Sequence, residues 1–210
     1  MFHPPEMKGR EAMETKRPQA IRRLEGREVL PLIQVYFEFS HLKTLFRQGW
    51  LRAGISKEQC ETVAEHTLGV TLLALFLADE CAPELDKTKL MWMGLLHDFG
   101  EIYAGDIVPG KMSLEGKHEL ERQSVERVFS KLRGGEKYLA IWEEFEAGQT
   151  GEARFVKEID RLEMGLQASV YEHEKLADLS VFFESTDKAL TTPALREILA
   201  AMMKLREPRG

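Results

Sequence analysis

The stretch LMWMGLLHDFGE at 90–101 constrains this chain more than any other. Its apolar run reads as a buried helix, and the run ends in His97 and Asp98, neighbours able to ligate a metal through an imidazole nitrogen and a carboxylate oxygen. Desolvating an isolated carboxylate is costly, so a positive partner is expected to meet Asp98. Glu101 lies four residues past His97 and shares its face if the helix continues that far. Gly105 and Asp106 follow in a short loop closed by Pro109 and Gly110, offering one more carboxylate to the same place. On its own, an adjacent His-Asp pair is a weak signal, being more often a capping or salt-bridged pair than a metal site. The rest of a ligand set has to come from elsewhere in the chain.

A length of 210 residues suits one domain with a sizeable core. Alternating or β-branched runs are few, while Leu, Ala, Glu, Lys and Met dominate, so the expected class is all-α. The net charge of -6 argues against a general affinity for a nucleic-acid polymer, which needs a basic surface. It leaves room for a local basic pocket that takes one phosphate. Cys60 and Cys81 lack CxxC spacing, which argues against a disulfide scaffold or a zinc ribbon. Apolar runs fall short of the ~20 residues of a membrane span, and the N-terminus lacks the apolar core of a signal peptide. A cytoplasmic protein with no membrane partner is the expectation.

Residues 1–28 combine Pro4, Pro5 and Pro18 with many charges and read as a flexible N-terminal extension, leaving 29–207 as the domain. Leu32, Val35, Tyr36, Phe39, Leu42, Leu45 and Phe46 form a helical stripe expected to face the core. The segment 47–55 reads as a loop with two arginines and a tryptophan. Arg47 is either a solvated charge or a clamp for phosphate oxygens. Trp50 is either a core anchor or a substrate-stacking surface. The segment 61–80 is apolar nearly all round and should form a central buried helix, with His66 near its start as a satisfied core histidine or a ligand. Asp86 can cap the next helix, and Ser113 the one after the Asp106 loop. A long helix is expected over 153–171, where Asp160 lies among Phe155, Val156, Ile159 and Leu162.

Collected, the chain offers His66, His97, Asp98 and Asp160 on separate expected helices, two imidazoles and two carboxylates that can hold one divalent cation. The strings VAEHT at 63–67, LHDFGE at 96–101, GDI at 105–107, KH at 117–118, IWEEFE at 141–146 and FVKEID at 155–160 resemble the HD-domain metal-dependent phosphohydrolases. Within that superfamily they are similar to the HD-domain-containing protein 2 and YfbR-like 5′-deoxynucleotidase branch. The resemblance implies a single helical HD-domain bundle, with His66, His97, Asp98 and Asp160 as metal ligands. It implies Glu101 and Asp106 as acid–base groups and Arg47 on the substrate phosphate, with Trp50 as the tryptophan nearest to it. It further implies one divalent metal (Mn, Co, Fe, Mg or Zn), a nucleoside monophosphate substrate and a homodimer. In bacterial members a Trp directly follows that Arg and helps distinguish deoxyribose from ribose; here Gln48 follows, which leaves the sugar preference open. The alternatives are another HD-type phosphodiesterase or triphosphohydrolase, or a non-catalytic nucleotide-binding module. The first needs more cations than the Arg47 segment offers, and the second needs neither Glu101 nor Asp106.

Overall fold

The computed structural model describes residues 13–108 and 110–206. A 3-10 turn at Ala20–Leu24 precedes α1 (Pro31–Phe39), a second 3-10 turn at Ser40–Lys43 and α2 (Gln48–Arg52). Then come α3 (Val63–Cys81), α4 (Lys87–Leu96), α5 (Glu101–Ala104), α6 (Leu114–Phe129), α7 (Glu136–Ala147), α8 (Gly151–His173), α9 (Ser180–Ala189) and α10 (Pro193–Lys204). Among the described residues the extended contacts are isolated bridges, Thr15 with Leu45 and Phe46 with Thr62, so the all-α expectation holds.

Local chemistry starts the helices that matter for the site. Thr62 and Glu65 form a reciprocal capping box at α3, with the Thr62 N–H donating to Glu65 Oε2 at 2.6 Å. Asp86 accepts from the Thr88 and Lys89 N–H groups to start α4, and Thr150 accepts from Ala153 to start α8. Ser113 caps α6 as expected.

Packing then brings α3 against both α4 and α8. One core gathers Val70, Ala74, Leu90, Met93, Val156, Ile159 and Leu162. A second gathers Val63, Leu96, Ile102, Val125 and Trp142. His66 falls between Val63 of the second core and Val70 of the first, and His97 follows Met93 of the first and Leu96 of the second. The polar site therefore sits on the seam between two dry clusters, where each fully buried aliphatic side chain contributes about 1.5–3 kcal/mol to holding the frame. Close approach of α3 and α4 depends on Gly94, since a Cβ there would lie 2.8 Å from Thr71 Oγ1 and 3.0 Å from Thr71 Cα.

Several sequence expectations change. The helix does not run on from His97 to Glu101: α4 ends at Leu96, and the Phe99 and Glu101 N–H groups bond back to Leu96 and Asp98 in tight three-residue turns before α5 starts. The expected stripe over 32–46 breaks at the Ser40–Lys43 turn, so Val35, Leu42, Leu45 and Phe46 are buried while Leu32 and Tyr36 face solvent. The segment after Arg47 is a short helix, not a loop. Along α3, Leu68, Leu72 and Phe76 are 57%, 41% and 61% exposed, because α4 and α8 cover only part of its circumference. Of the extension expected over 1–28, residues 1–12 lie outside the described residues. The part that is described is docked: Lys16 N–H donates to Thr44 O at 2.7 Å, and the Gln48 side chain accepts from the Glu14 N–H and donates to its carbonyl.

Candidate metal centre and phosphate site

Three helices deliver the four side chains at the centre of the site. His66 comes from the first turn of α3, His97 caps the C-terminus of α4 with Asp98 next to it, and Asp160 projects from the middle of α8. His66 Nε2 lies 3.0 Å from Asp160 Oδ1, 3.4 Å from His97 Nε2 and 3.7 Å from Asp98 Oδ2. His97 Nε2 is 3.2 Å from Asp98 Oδ2. The remaining ring nitrogens point away: His97 Nδ1 donates to Gly94 O at 2.7 Å, and His66 Nδ1 donates to Glu163 Oε2 at 2.6 Å. With both Nδ1 positions used as donors, the two Nε2 edges are left facing one another beside two carboxylates. The His97 carbonyl, in turn, accepts from the Trp142 indole at 3.2 Å, which ties the turn to α7.

Arg47, at the start of α2, places Nη1 3.4 Å from Asp98 Oδ2, 3.7 Å from Asp106 Oδ1 and 3.9 Å from Glu101 Oε1. This is the cation expected beside Asp98. Asp106 Oδ2 accepts from the Gln48 N–H at 2.5 Å, which fixes the loop carboxylate to the same helix start. Glu101 is buried, and its Oε2 has no hydrogen-bond partner among the described residues. The imidazoles are enclosed, whereas the Arg47, Asp98 and Asp160 side chains keep 16%, 17% and 19% of their surface, so the site opens to solvent on the carboxylate and guanidinium side.

The electrostatics follow from this crowding. Burial and Arg47 oppose a charged His66 ring, but hydrogen bonds to Asp160 and Glu163 outweigh them and lift its pKa to about 10. Burial also opposes ionisation of Asp98 and Asp160, yet the neighbouring imidazoles hold both carboxyls below their usual range. Glu101 is pushed well up, first by burial and then by Asp98 and Asp106. Four carboxylates crowd two buried imidazole edges, which balance that negative charge by carrying protons that a divalent cation would replace. A divalent cation would meet the same carboxylates and free the two Nε2 atoms to ligate, and the partnerless Glu101 Oε2 leaves an acceptor for a water beside it. The donor set fits the metal that the sequence implies. His66, His97 and Asp98 offer ligand atoms within 4.8 Å of one another, and Asp160 joins them through His66. Glu61, His66 and Glu163 form a second such group, but its His66 nitrogen is already committed to Glu163.

Trp50 stands apart from this cluster. Its ring is 2% exposed, lies 4.2 Å from Phe182 between centroids, and donates its indole N–H to Glu61 at 2.7 Å. The one-turn helix that aims Arg47 at the site turns Trp50 into the core, so the substrate-stacking role gives way to the core-anchor one. Two groups escaped the sequence reading. Glu163 lies one turn beyond Asp160 on α8, a spacing that could have flagged it. Lys117 belongs to one of the motif strings but carried no role; it pairs with Glu121 at 2.9 Å, and its charge acts on Glu101.

A helical frame that gathers two histidines and two aspartates from three helices, with an arginine and two further carboxylates at its open side, defines a metal-centred hydrolase class of site. The chain belongs to the HD domain family, whose match spans residues 39–201. It is 34% identical over 180 residues to the 5'-deoxynucleotidase HDDC2 of Dictyostelium discoideum, covering 78% of this chain and 94% of that one. To the Bos taurus 5'-deoxynucleotidase HDDC2 it is 30% identical over 184 residues, covering 85% and 87%. Among solved structures it is similar to the PH0347 protein from Pyrococcus horikoshii OT3, with a TM-score of 0.72 and 27% identity over 83% of this chain and 99% of that one. A predicted metal-dependent phosphohydrolase from Magnetospirillum magnetotacticum MS-1 aligns with a TM-score of 0.64 and 26% identity over 83% and 90%.

Proposed function

We propose that this chain is a metal-dependent phosphohydrolase that releases inorganic phosphate from nucleoside 5′-monophosphates, a 5′-deoxynucleotidase like the relatives it matches. The observation that carries the reading is the convergence of two imidazole Nε2 edges and the Asp98 and Asp160 carboxylates within reach of Arg47, Glu101 and Asp106. His66, His97, Asp98 and Asp160 hold one divalent cation, from among Mn, Co, Fe, Mg and Zn. When bound, such a cation supplies Lewis-acid activation of water and of the phosphoryl group near neutral pH.

The remaining chemistry belongs to the chain. Arg47 has long, unsaturated contacts to its carboxylates and presents its guanidinium to the equatorial phosphoryl oxygens during an in-line displacement. Glu101 Oε2, buried and without a partner, is the acceptor that orients the attacking water and takes its proton. Asp106, steered by the Gln48 N–H, stands on the Arg47 side, where it relays a proton to the leaving 5′ oxygen. The enclosed imidazole side excludes bulk water from the reacting centre.

The same reading carries a homodimer, supported by the exposed apolar row Leu68, Leu72 and Phe76 on α3. It carries a cytoplasmic setting, supported by the unpaired thiols of Cys60 and Cys81. A panel of nucleoside mono-, tri- and cyclic monophosphates, assayed for phosphate release with metal-stripped protein resupplied with single metals, tests the function. Release from 5′-monophosphates is the expected result. Turnover confined to triphosphates or cyclic nucleotides, or none with any metal, would overturn it.

A further inference from the structure

His66 is gripped on both edges by one helix. Asp160 meets Nε2 at 3.0 Å, and Glu163, three residues further along α8, meets Nδ1 at 2.6 Å. Glu163 is buried, so its charge is directed at the ring and not at solvent. The space it occupies has been left open by the opposite helix. A Cβ at Gly69, one turn after His66 on α3, would lie 2.5 Å from Glu163 Oε1 and 3.1 Å from its Cγ and Cδ. Glycine weakens a helix interior relative to alanine, so α3 bears a local penalty exactly opposite this carboxylate. Nothing in the backbone of α3 otherwise calls for glycine here, since Gly69 lies mid-helix and is absent from the positive-φ positions.

We propose that Glu163 is a positioning residue of the metal site: it accepts the Nδ1 proton of His66, fixes the tautomer in which Nε2 is the ligating nitrogen, and aims that nitrogen at a cation between Asp98 and Asp160. Gly69 is the gap in α3 that admits its carboxylate. The inference rests on the reading of His66 as a ligand, and adds a residue that touches neither metal nor substrate. A carboxylate behind a ligating imidazole raises its basicity as well as orienting it, and losing such a partner commonly lowers metal affinity roughly 10- to 100-fold.

The test titrates metal-stripped full-length chain with Co²⁺ by calorimetry, comparing wild type with Glu163→Gln and Gly69→Ala. Glu163→Gln keeps the shape and an acceptor oxygen but removes the charge; it is expected to bind Co²⁺ roughly 10- to 100-fold more weakly. In ¹⁵N-histidine-labelled protein, the low-field His66 Nδ1 proton signal should move upfield in that variant, a change that a merely structural carboxylate far from the ring would not produce. Gly69→Ala favours the helix, so its melting temperature should match or exceed wild type while its Co²⁺ affinity falls as the carboxylate is displaced. Wild-type affinity in Glu163→Gln overturns the proposal; should that variant fail to fold, wild-type affinity in Gly69→Ala does so instead. A wild-type chain that takes up no Co²⁺ defeats the metal reading itself, and this proposal with it, which is distinct from uptake that the variants leave unchanged.

Discussion

Arg47→Ala separates a phosphate clamp from a structural charge. Charge-assisted N–H···O contacts are strongest near 2.7–2.9 Å, whereas Arg47 Nη1 stands 3.4, 3.7 and 3.9 Å from Asp98, Asp106 and Glu101. The guanidinium is held by the field of several carboxylates and not saturated by any one of them, so donors remain for an incoming phosphate. Losing one charge-assisted contact to substrate costs about 2–3 kcal/mol, roughly 30- to 150-fold in kcat/KM. Metal binding should respond in the opposite sense. Arg47 is a positive charge beside a carboxylate oxygen of Asp98, a proposed ligand, so its removal should leave affinity for a divalent cation unchanged or higher. The metal-free fold should lose stability because three carboxylates are left facing one another, and the metal-loaded fold should regain it. Lysine should rescue only part of the activity, since it restores charge without the planar fork. Steady-state kinetics on a nucleoside monophosphate, together with metal content, decide the matter. Near-wild-type kcat/KM in Arg47→Ala, or loss of metal along with activity, would refute the clamp.

Asp98→Ala should lose both metal and turnover, because the anionic ligand shared by both imidazoles disappears; full occupancy by elemental analysis would remove Asp98 from the ligand set. Glu101→Gln should keep its metal and lose roughly 10²–10⁴ in turnover, the usual range for a lost acid–base group, and loss of metal would reassign it as a ligand. Away from the site, burial and then Arg22 lower the pKa of His41 from 6.5 to about 4. The unfolded chain then binds more protons than the folded one between those values, so stability falls as pH drops through this window, by about 3 kcal/mol in all. Urea midpoints for His41→Gln should fall less steeply with acid than those of wild type, and parallel profiles would exclude the assignment. Discrimination between deoxyribo- and ribonucleoside monophosphates should be weak, since the Gln48 amide is spent on Phe46 O and Glu14 and Trp50 is buried. A strong deoxyribose preference in parallel assays would require another group to read the sugar.

The four proposed ligands could be picked out before folding because histidine and aspartate are conspicuous on helices otherwise built for burial. His66, His97, Asp98 and Asp160 interrupt apolar runs, and the structure brings all four together. Glu163 resisted the same reasoning, because an acid on a long helix looks like a solvated face until the gap at Gly69 on another helix is known. Trp50 was ambiguous since its direction depends on the register of a five-residue helix. The break after His97 was hidden for a similar reason: the i+4 spacing to Glu101 suits a continuous helix, yet Glu101 reaches the site through a tight turn. Docking of Glu14 and Lys16 relies on backbone bonds to Thr44 and Phe46 and on the Gln48 amide, a polar side chain that carries no apolar pattern to read. For α3, an apolar run on every face did not reveal which row its neighbours would leave uncovered.

The most direct measurement of the central claim follows phosphate release from a deoxyribonucleoside 5′-monophosphate while metal-stripped protein is titrated with Mn²⁺ or Co²⁺ and the bound metal is counted. Activity is expected to rise in step with occupancy and to saturate at one equivalent per chain, with Asp98→Ala silent throughout. Full activity in the metal-stripped protein, or bound metal that restores none, would contradict a catalytic centre built on His66, His97, Asp98 and Asp160.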